Sequence, residues 1–383
     1  MNVKNIVCIA GAVVLSACQI EADWERYLGV NNPDESRIEW MGAMEAGPNQ
    51  QILSATKTII TGFERNVDIY LAALNTSGTT LWEKVVDLGL DETVVAMQGL
   101  SDGWVLAVND IDDSSKLVRI NESGTILWSE VIADGRLRDL QVSNGLIYTT
   151  GVNSYVYDLS ANLVAQVDPV GETSWRIEPL SNGDFLVAGH AATTRYDALG
   201  NALWTASHVD GLGQQADILV LNNTVNVILE YYNEDYALVQ QFDLVNGSAK
   251  WTRTINLPAN GSFSIHGPAS LIELGGDMIV MLSNPTNRKF VRLSTNNNQR
   301  WSKTFRDGIA WDIEVFSSTA FVVSGDSTTQ KIDLSGDLIA TATMPSNSPE
   351  TTGEVVVIND YVFAGSSIQR DGTFVPYVAR YSE

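Results

Sequence analysis

Cysteine is almost absent from this 383-residue chain, and the only two, Cys8 and Cys18, fall within its first eighteen residues. The remainder therefore has no disulfide to depend on and no thiol nucleophile to use. Histidine is nearly as scarce. His190, His208 and His266 stand alone, none with another His, a Cys or a carboxylate at the spacing of a zinc site. Basic residues are outnumbered two to one, 23 against 46 acidic, for a net charge of −23 at pH 7. A field of that sign repels nucleic acid and anionic headgroups and excludes both as partners of the folded domain. Helical periodicity is missing after the N-terminus, and so are a Gly-x-Ser-x-Gly elbow and a glycine-rich phosphate loop. Acid-pair hydrolysis stays open, because the spacing of carboxylates in sequence does not give their separation in space.

What the chain does contain is a recurring step from glycine to tryptophan. It reads Gly-Thr-Thr-Leu-Trp at 78–82, Gly-Thr-Ile-Leu-Trp at 124–128, Gly-Asn-Ala-Leu-Trp at 200–204 and Gly-Ser-Ala-Lys-Trp at 247–251. Degenerate copies lie at 297–301 (Asn for Gly), 336–340 (Ala for Trp) and 161–165 (both changed). Positions 82, 128, 165, 204, 251, 301 and 340 are separated by 46, 37, 39, 47, 50 and 39 residues. A loose period of about forty belongs to repeat architectures.

One unit, 92–132, divides into four short apolar runs closed by Asn, Asp, Ser or Gly, the residues that tight turns accept. Four antiparallel strands in about forty residues describe a propeller blade. Third-strand segments can be counted directly: IYLAALN, KLVRIN, SYVYDL, TTRYDAL, ALVQQFD, KFVRLS, QKIDL and YVARYS. The chain ends after the eighth without a fourth strand. SRIEWMGAM near the start, with Trp40 42 residues before Trp82, is the expected closing strand. The expected fold is thus all-β, an eight-bladed β-propeller of four-stranded antiparallel blades closed by an N-terminal strand. Seven blades result if the poor unit at 136–168 is not a blade. Rings repeated at one fixed position per blade read as inter-blade packing, and no function is assigned to them.

The first residues differ in kind. Lys4, the apolar run IVCIAGAVVL and the ending Leu15-Ser16-Ala17-Cys18 read as a secretory signal too short to span a bilayer. The ending resembles the bacterial lipobox, which implies a signal peptide at 1–17, lipid on Cys18, and, with Gln19 rather than Asp following, sorting to the outer membrane. Removing 1–17 takes away Lys4 alone, so 22 of the 23 basic residues remain against 46 acidic ones, a net charge of −24. Polar residues 18–36 read as a tether that carries Trp24 and Tyr27, and 37–383 as the propeller. Two acidic clusters, Asp110, Asp112 and Asp113, and Asn233, Glu234 and Asp235, carry oxygen ligands suited to calcium, but neither follows a full calcium loop. Solvated turns are the expected reading, and no metal is assigned. Tyr231, Tyr232 and Tyr236 around an acidic turn are the partner-contact candidates. Trp104, Trp175 and Trp311 lie outside the repeated step; Trp175 and Trp311 fall in first strands, near the channel, and Trp104 opens a second strand. Burial is the expected role of all three.

The unit LVRINESGTILWSEV resembles the blades of quinoprotein-like β-propellers, and SDGWVLAV and SNGDFLVAGH resemble bacterial surface repeats of the same kind. The lipobox, length and eight blades together are similar to the BamB family of outer-membrane protein assembly lipoproteins, although that family's Asp-Ala-x-Thr-Gly turn is nowhere intact here. The resemblance implies a non-catalytic, lipid-anchored scaffold at the outer membrane, on its periplasmic face rather than the cell surface. It further implies envelope-protein partners, the barrel-assembly machinery among them, and no cofactor. The alternatives are a glycan- or other ligand-binding surface lipoprotein and a quinone-dependent dehydrogenase. The dehydrogenase is disfavoured by the lack of vicinal cysteines.

Overall fold

The computed structural model describes residues 18–28, 37–60, 66–89, 91–110, 112–132, 135–170, 173–209, 215–230, 236–257, 269–306, 308–325, 328–343, 353–370 and 373–382. Strands fall into eight sheets, and among the described residues the only helical element is the 3-10 turn Pro48–Gln50. Blades 1 to 7 occupy 37–86, 93–132, 139–167, 174–207, 215–256, 270–305 and 310–343, each a four-stranded antiparallel meander. Blade 8 takes three strands from 353–381 and its fourth from Trp24–Tyr27. Each first strand lies against the first strands of both neighbours, and the circle closes where Gly353–Ile358 meets Arg37–Ala46. The count is eight, and all eight third strands fall where the sequence places them. The unit at 136–168 is a true blade with short strands.

The closing strand is not the one expected. Arg37–Ala46 is the first strand of blade 1, and Trp24–Tyr27 pairs antiparallel with Thr373–Tyr381, Trp24 opposite Arg380. Residues 18–28 of the segment read as a tether thus lie on the ring. The cause is apolar: Leu28 is 2 % exposed, and Trp24 packs against the core between blades 8 and 1. Upstream, Cys18–Gln19 adds a fifth, parallel strand to blade 7, opposite Ala340 and Thr341. Ile20 follows, its N–H donating to Thr341 O at 2.9 Å and its side chain packing against the core of blades 7 and 8. The blade that lost its tryptophan at 340 is covered by the N-terminal segment.

The core is divided among the blade interfaces. Eight apolar clusters each draw on two adjoining blades. Second strands are covered on both faces, so all of Gly103–Asn109 is buried, whereas fourth strands such as Ile126–Ile132 alternate toward solvent.

The glycine–tryptophan step works across interfaces. Trp24, Trp82, Trp128, Trp204, Trp251 and Trp301 each donate their indole N–H to a carbonyl in the last turn of the next blade, at 2.7–3.2 Å. Trp24, Trp82, Trp204 and Trp301 then lie on the glycine of that turn, Gly78, Gly124, Gly247 and Gly336. Gly124 has φ +75°, which only glycine adopts without cost, and a Cβ there would stand 2.8 Å from Trp82; Gly78 receives Trp24 in the same way. Each step therefore supplies a turn to one interface and a ring to the other. A register shift recurs between third and fourth strands in blades 1 to 7. It is the bulge that follows such a turn.

A second device alternates. In blades 2, 4, 6 and 8 the residue paired with the tryptophan is an arginine: Arg119, Arg195, Arg292 and Arg380. Each donates to the carbonyl that also receives the indole, namely Leu159, Leu244, Leu334 and Thr76. Each is also held by an aspartate, Asp102, Asp184, Asp277 or Asp23, at 2.5–3.1 Å.

Candidate functional site

First strands deliver carboxylates to the central channel. Asp139, Glu178, Asp217, Asp312 and Glu314 line about 740 Å³ of open space together with Arg176. Three of the acids repeat one job. Asp139, Asp217 and Asp312 each accept the N–H of the following residue at 2.8–2.9 Å. Their other oxygen accepts an N–H from the next blade, from Ile177, Leu271 and Val355 respectively, at 2.8–3.0 Å. These aspartates lace blades 3 to 4, 5 to 6 and 7 to 8 and so are structural. Arg176 stands between two of them, 3.3 Å from Asp217 and 3.9 Å from Asp139. Burial disfavours its charge, but the two aspartates more than offset that and raise its pKa.

The glutamates have no such partner set. Burial pushes Glu178 and Glu45 up to about 7 and Glu314 up to about 8, and raises Glu354 well above the usual range. Mutual repulsion adds to this. Asp312 and Glu45 act on Glu314, and all three act on Glu354, while Asp217 and Asp139 act on Glu178. Gln98 Nε2 donates to Glu45 at 3.3 Å from blade 2. Groups whose folded pKa lies above the unfolded value of 4.5 stabilise the fold fully below that value and lose the contribution as pH rises through 7 to 8. His208 acts in the opposite sense. It is buried, with Thr193 Oγ1 2.8 Å from Nε2, and burial lowers it to about 4. Its contribution is present above pH 6.5 and lost as pH falls through 4. Thermal midpoints should therefore peak on the mildly acidic side of neutrality and fall toward alkaline pH. The channel glutamates should account for roughly 1–3 kcal/mol of that fall after discounting for their partial exposure. Thermal unfolding across pH checks this, and Glu314→Gln should flatten the alkaline limb; an unchanged limb would remove the channel from the account.

The residues singled out from sequence scatter. Tyr231, Tyr232, His266 and the cluster Asn233, Glu234 and Asp235 lie outside the described residues, as does the signal segment 1–17. Tyr236 opens the third strand of blade 5 and packs against the core between blades 4 and 5. The Asp110 loop does not converge on an ion: Asp113 pairs with Arg136 at 2.7 Å, Asp112 accepts the Ser114 N–H, and Asp110 is buried near Lys116. Trp104 is fully buried against Trp82 at a centroid distance of 6.3 Å. Trp175 sits beneath the Arg138 guanidinium at 3.6 Å, and Trp175 and Trp311 both lie in first strands as placed from sequence. Sequence reasoning missed the acids of the channel, although the signal was present in RDLQV, ADILV and WDIEV, one Asp-aliphatic-x-Val in the first strands of blades 3, 5 and 7.

Outside the ring, the residue before the docking position is an exposed aliphatic on blades 1 to 4. Leu81, Leu127, Val164 and Leu203 are 42–51 % exposed. Among the described residues no helix is long and apolar enough to cross a membrane.

A family model described as outer membrane protein assembly factor BamB matches residues 67–178, the third strand of blade 1 to the first of blade 4. No curated protein matches the chain in sequence. Solved structures similar to it include the C-terminal WD40 domain of Sif2, at 12 % identity and TM-score 0.66, covering 91 % of this chain and 97 % of that one. Sqt1 from Chaetomium thermophilum follows at 11 % identity and TM-score 0.65, covering 90 % and 96 %. The quinohemoprotein alcohol dehydrogenase from Comamonas testosteroni stands at 10 % and 0.61, covering 95 % and 76 %. At these identities the likeness is one of fold. The chain is an eight-bladed β-propeller whose residues 67–178 resemble the assembly factor BamB.

Proposed function

We propose that the protein is a non-catalytic docking scaffold of the bacterial cell envelope, anchored by lipid on Cys18 at the periplasmic face of the outer membrane, and that it serves outer-membrane protein assembly. The observation that carries this reading is the match of residues 67–178 to the BamB model. Two features of the ring support it. The exposed aliphatics Leu81, Leu127, Val164 and Leu203 recur at one position of four successive outer strands, the kind of surface that marks protein contact when it is contiguous. The backbone of Cys18 pairs with Ala340 on the edge of blade 7, so a lipid anchor there would have no long tether between it and the ring.

Crosslinked pull-down of the lipidated protein from membranes, read by mass spectrometry, is the test. Enrichment of barrel-assembly proteins is expected. Leu127→Lys with Leu203→Lys should remove it, with little change in stability because both side chains already face solvent. Cys18→Ala should move the protein to the soluble fraction and abolish palmitate labelling. Enrichment of another envelope complex would discard the assembly role and keep the scaffold. Absence of any partner would overturn both.

A further inference from the structure

The connection from blade 1 to blade 2 gathers three acids that are not among those lining the channel. Asp68 lies in the third strand Asn66–Leu74, Asp87 follows the fourth strand Thr80–Val86, and Glu92 precedes Thr93–Gly99 of blade 2. One carboxylate oxygen from each lies within 4.8 Å of the others. Oxygens at about 2.3–2.6 Å from a common centre span that distance across a calcium coordination shell. The frame is preformed by the backbone. Glu92 N–H donates to Val67 O at 2.9 Å, Val67 N–H to Asp91 Oδ1 at 3.1 Å, and Gly89 N–H to Asp87 Oδ1 at 2.9 Å.

Glu92 gives an independent reason to expect a ligand. Its side chain is 0 % exposed, and Oε1 accepts the Leu88 N–H at 3.0 Å. Oε2 is buried without any hydrogen-bond partner. A buried carboxylate oxygen with no donor is costly, and a cation is what such an oxygen recruits. Lys116 stands nearby, but its ammonium donates to Leu88 O at 2.5 Å and lies 3.8 Å from Asp110. The donor set is all oxygen, with no imidazole or thiolate, which suits a hard cation. Asp87 is exposed, so water reaches the site to complete the shell.

We propose that Asp68, Asp87 and Glu92 form a calcium site that clips the connection between blades 1 and 2 to the third strand of blade 1. The acids of the Asp110 loop, read from sequence as a solvated turn, are divided by the structure among other tasks. The site instead draws its ligands from two strand ends and a connector.

The full chain, stripped with EDTA, would be titrated with calcium chloride by calorimetry and by thermal unfolding. One saturable site and a rise in the thermal midpoint are expected. Asp87→Asn should weaken binding by at least about tenfold. Because Asp87 is exposed, that variant should still fold. Asp113→Asn, which alters an exposed acid of the other loop, should bind as the parent does. Glu92→Gln should lose binding while its uncharged amide relieves the burial, so an apo midpoint at or above that of the parent is expected. No heat and no midpoint shift at millimolar calcium would overturn the site and leave Lys116 as the resident cation. Unchanged binding by Asp87→Asn, or magnesium bound in preference to calcium, would overturn it equally.

Discussion

Replacing Trp24 by alanine is expected to cost about 3 kcal/mol of unfolding free energy, a large loss for a residue outside the continuous repeat. Trp24 is the docking ring of blade 8. It donates to Thr76 O at 3.2 Å, lies on Gly78, packs 6.0 Å from Phe363, and stands opposite Arg380, which donates to the same carbonyl. It secures the interface at which the two ends of the chain meet. In the other blades the fourth strand follows the third along the chain, whereas blade 8 keeps its fourth strand only through noncovalent pairing. Denaturant unfolding followed by tryptophan fluorescence checks the value. Deleting residues 18–28 should cost more than the point substitution and expose the edge of Thr373–Tyr381, with association of chains through that edge. A Trp24→Ala protein as stable as the parent would mean that the ring is held shut elsewhere.

Arg195→Ala is expected to cost about 3–5 kcal/mol, because it breaks a buried ion pair and leaves one partner behind. Arg195 and Asp184 are each only 13 % exposed in their side chains and approach to 2.5 Å, and Arg195 also donates to Leu244 O of blade 5 at 2.7 Å. Removing the arginine strands a carboxylate and halves the donors on a carbonyl that Trp204 shares. The double variant Arg195→Ala with Asp184→Ala should recover part of the loss, since no charge is then left uncompensated. By contrast, Lys303→Ala should cost under about 1 kcal/mol, its pair with Asp337 being 41 % and 63 % exposed. Equal costs for the two sites would show that burial does not set the strength of these pairs.

Much of this molecule was legible in the sequence. The glycine–tryptophan step fixes four strands per unit and the placement of all eight third strands, because turn chemistry and strand alternation are local and recur. It also shows why aromatic rings sit at one position, since a ring repeated once per blade has a blade on either side to fill. Arg119, Arg195, Arg292 and Arg380 were visible as VRI, TRY, VRL and ARY. Their alternation acquires meaning only when the carbonyl each one reaches is known.

What the tertiary structure alone decided is everything that depends on closure. In sequence, the segment with Trp40 is the expected closing strand, and Trp24 falls in the segment read as a tether. The choice falls to Trp24 because Arg37–Ala46 is needed as the first strand of blade 1, and because Leu28 and Trp24 find burial against residues more than three hundred positions away. The covering of Ala340 by Cys18–Gln19 is equally non-local. So is the channel, where first-strand acids widely spaced along the chain are brought together, and burial with repulsion from neighbouring acids raises Glu45, Glu178, Glu314 and Glu354. Local pattern determines a blade, since a blade satisfies its own hydrogen bonds. Which strand closes the ring, and which charges then face one another, is settled only by the ring as a whole, where burial and repulsion act between residues that the chain keeps far apart.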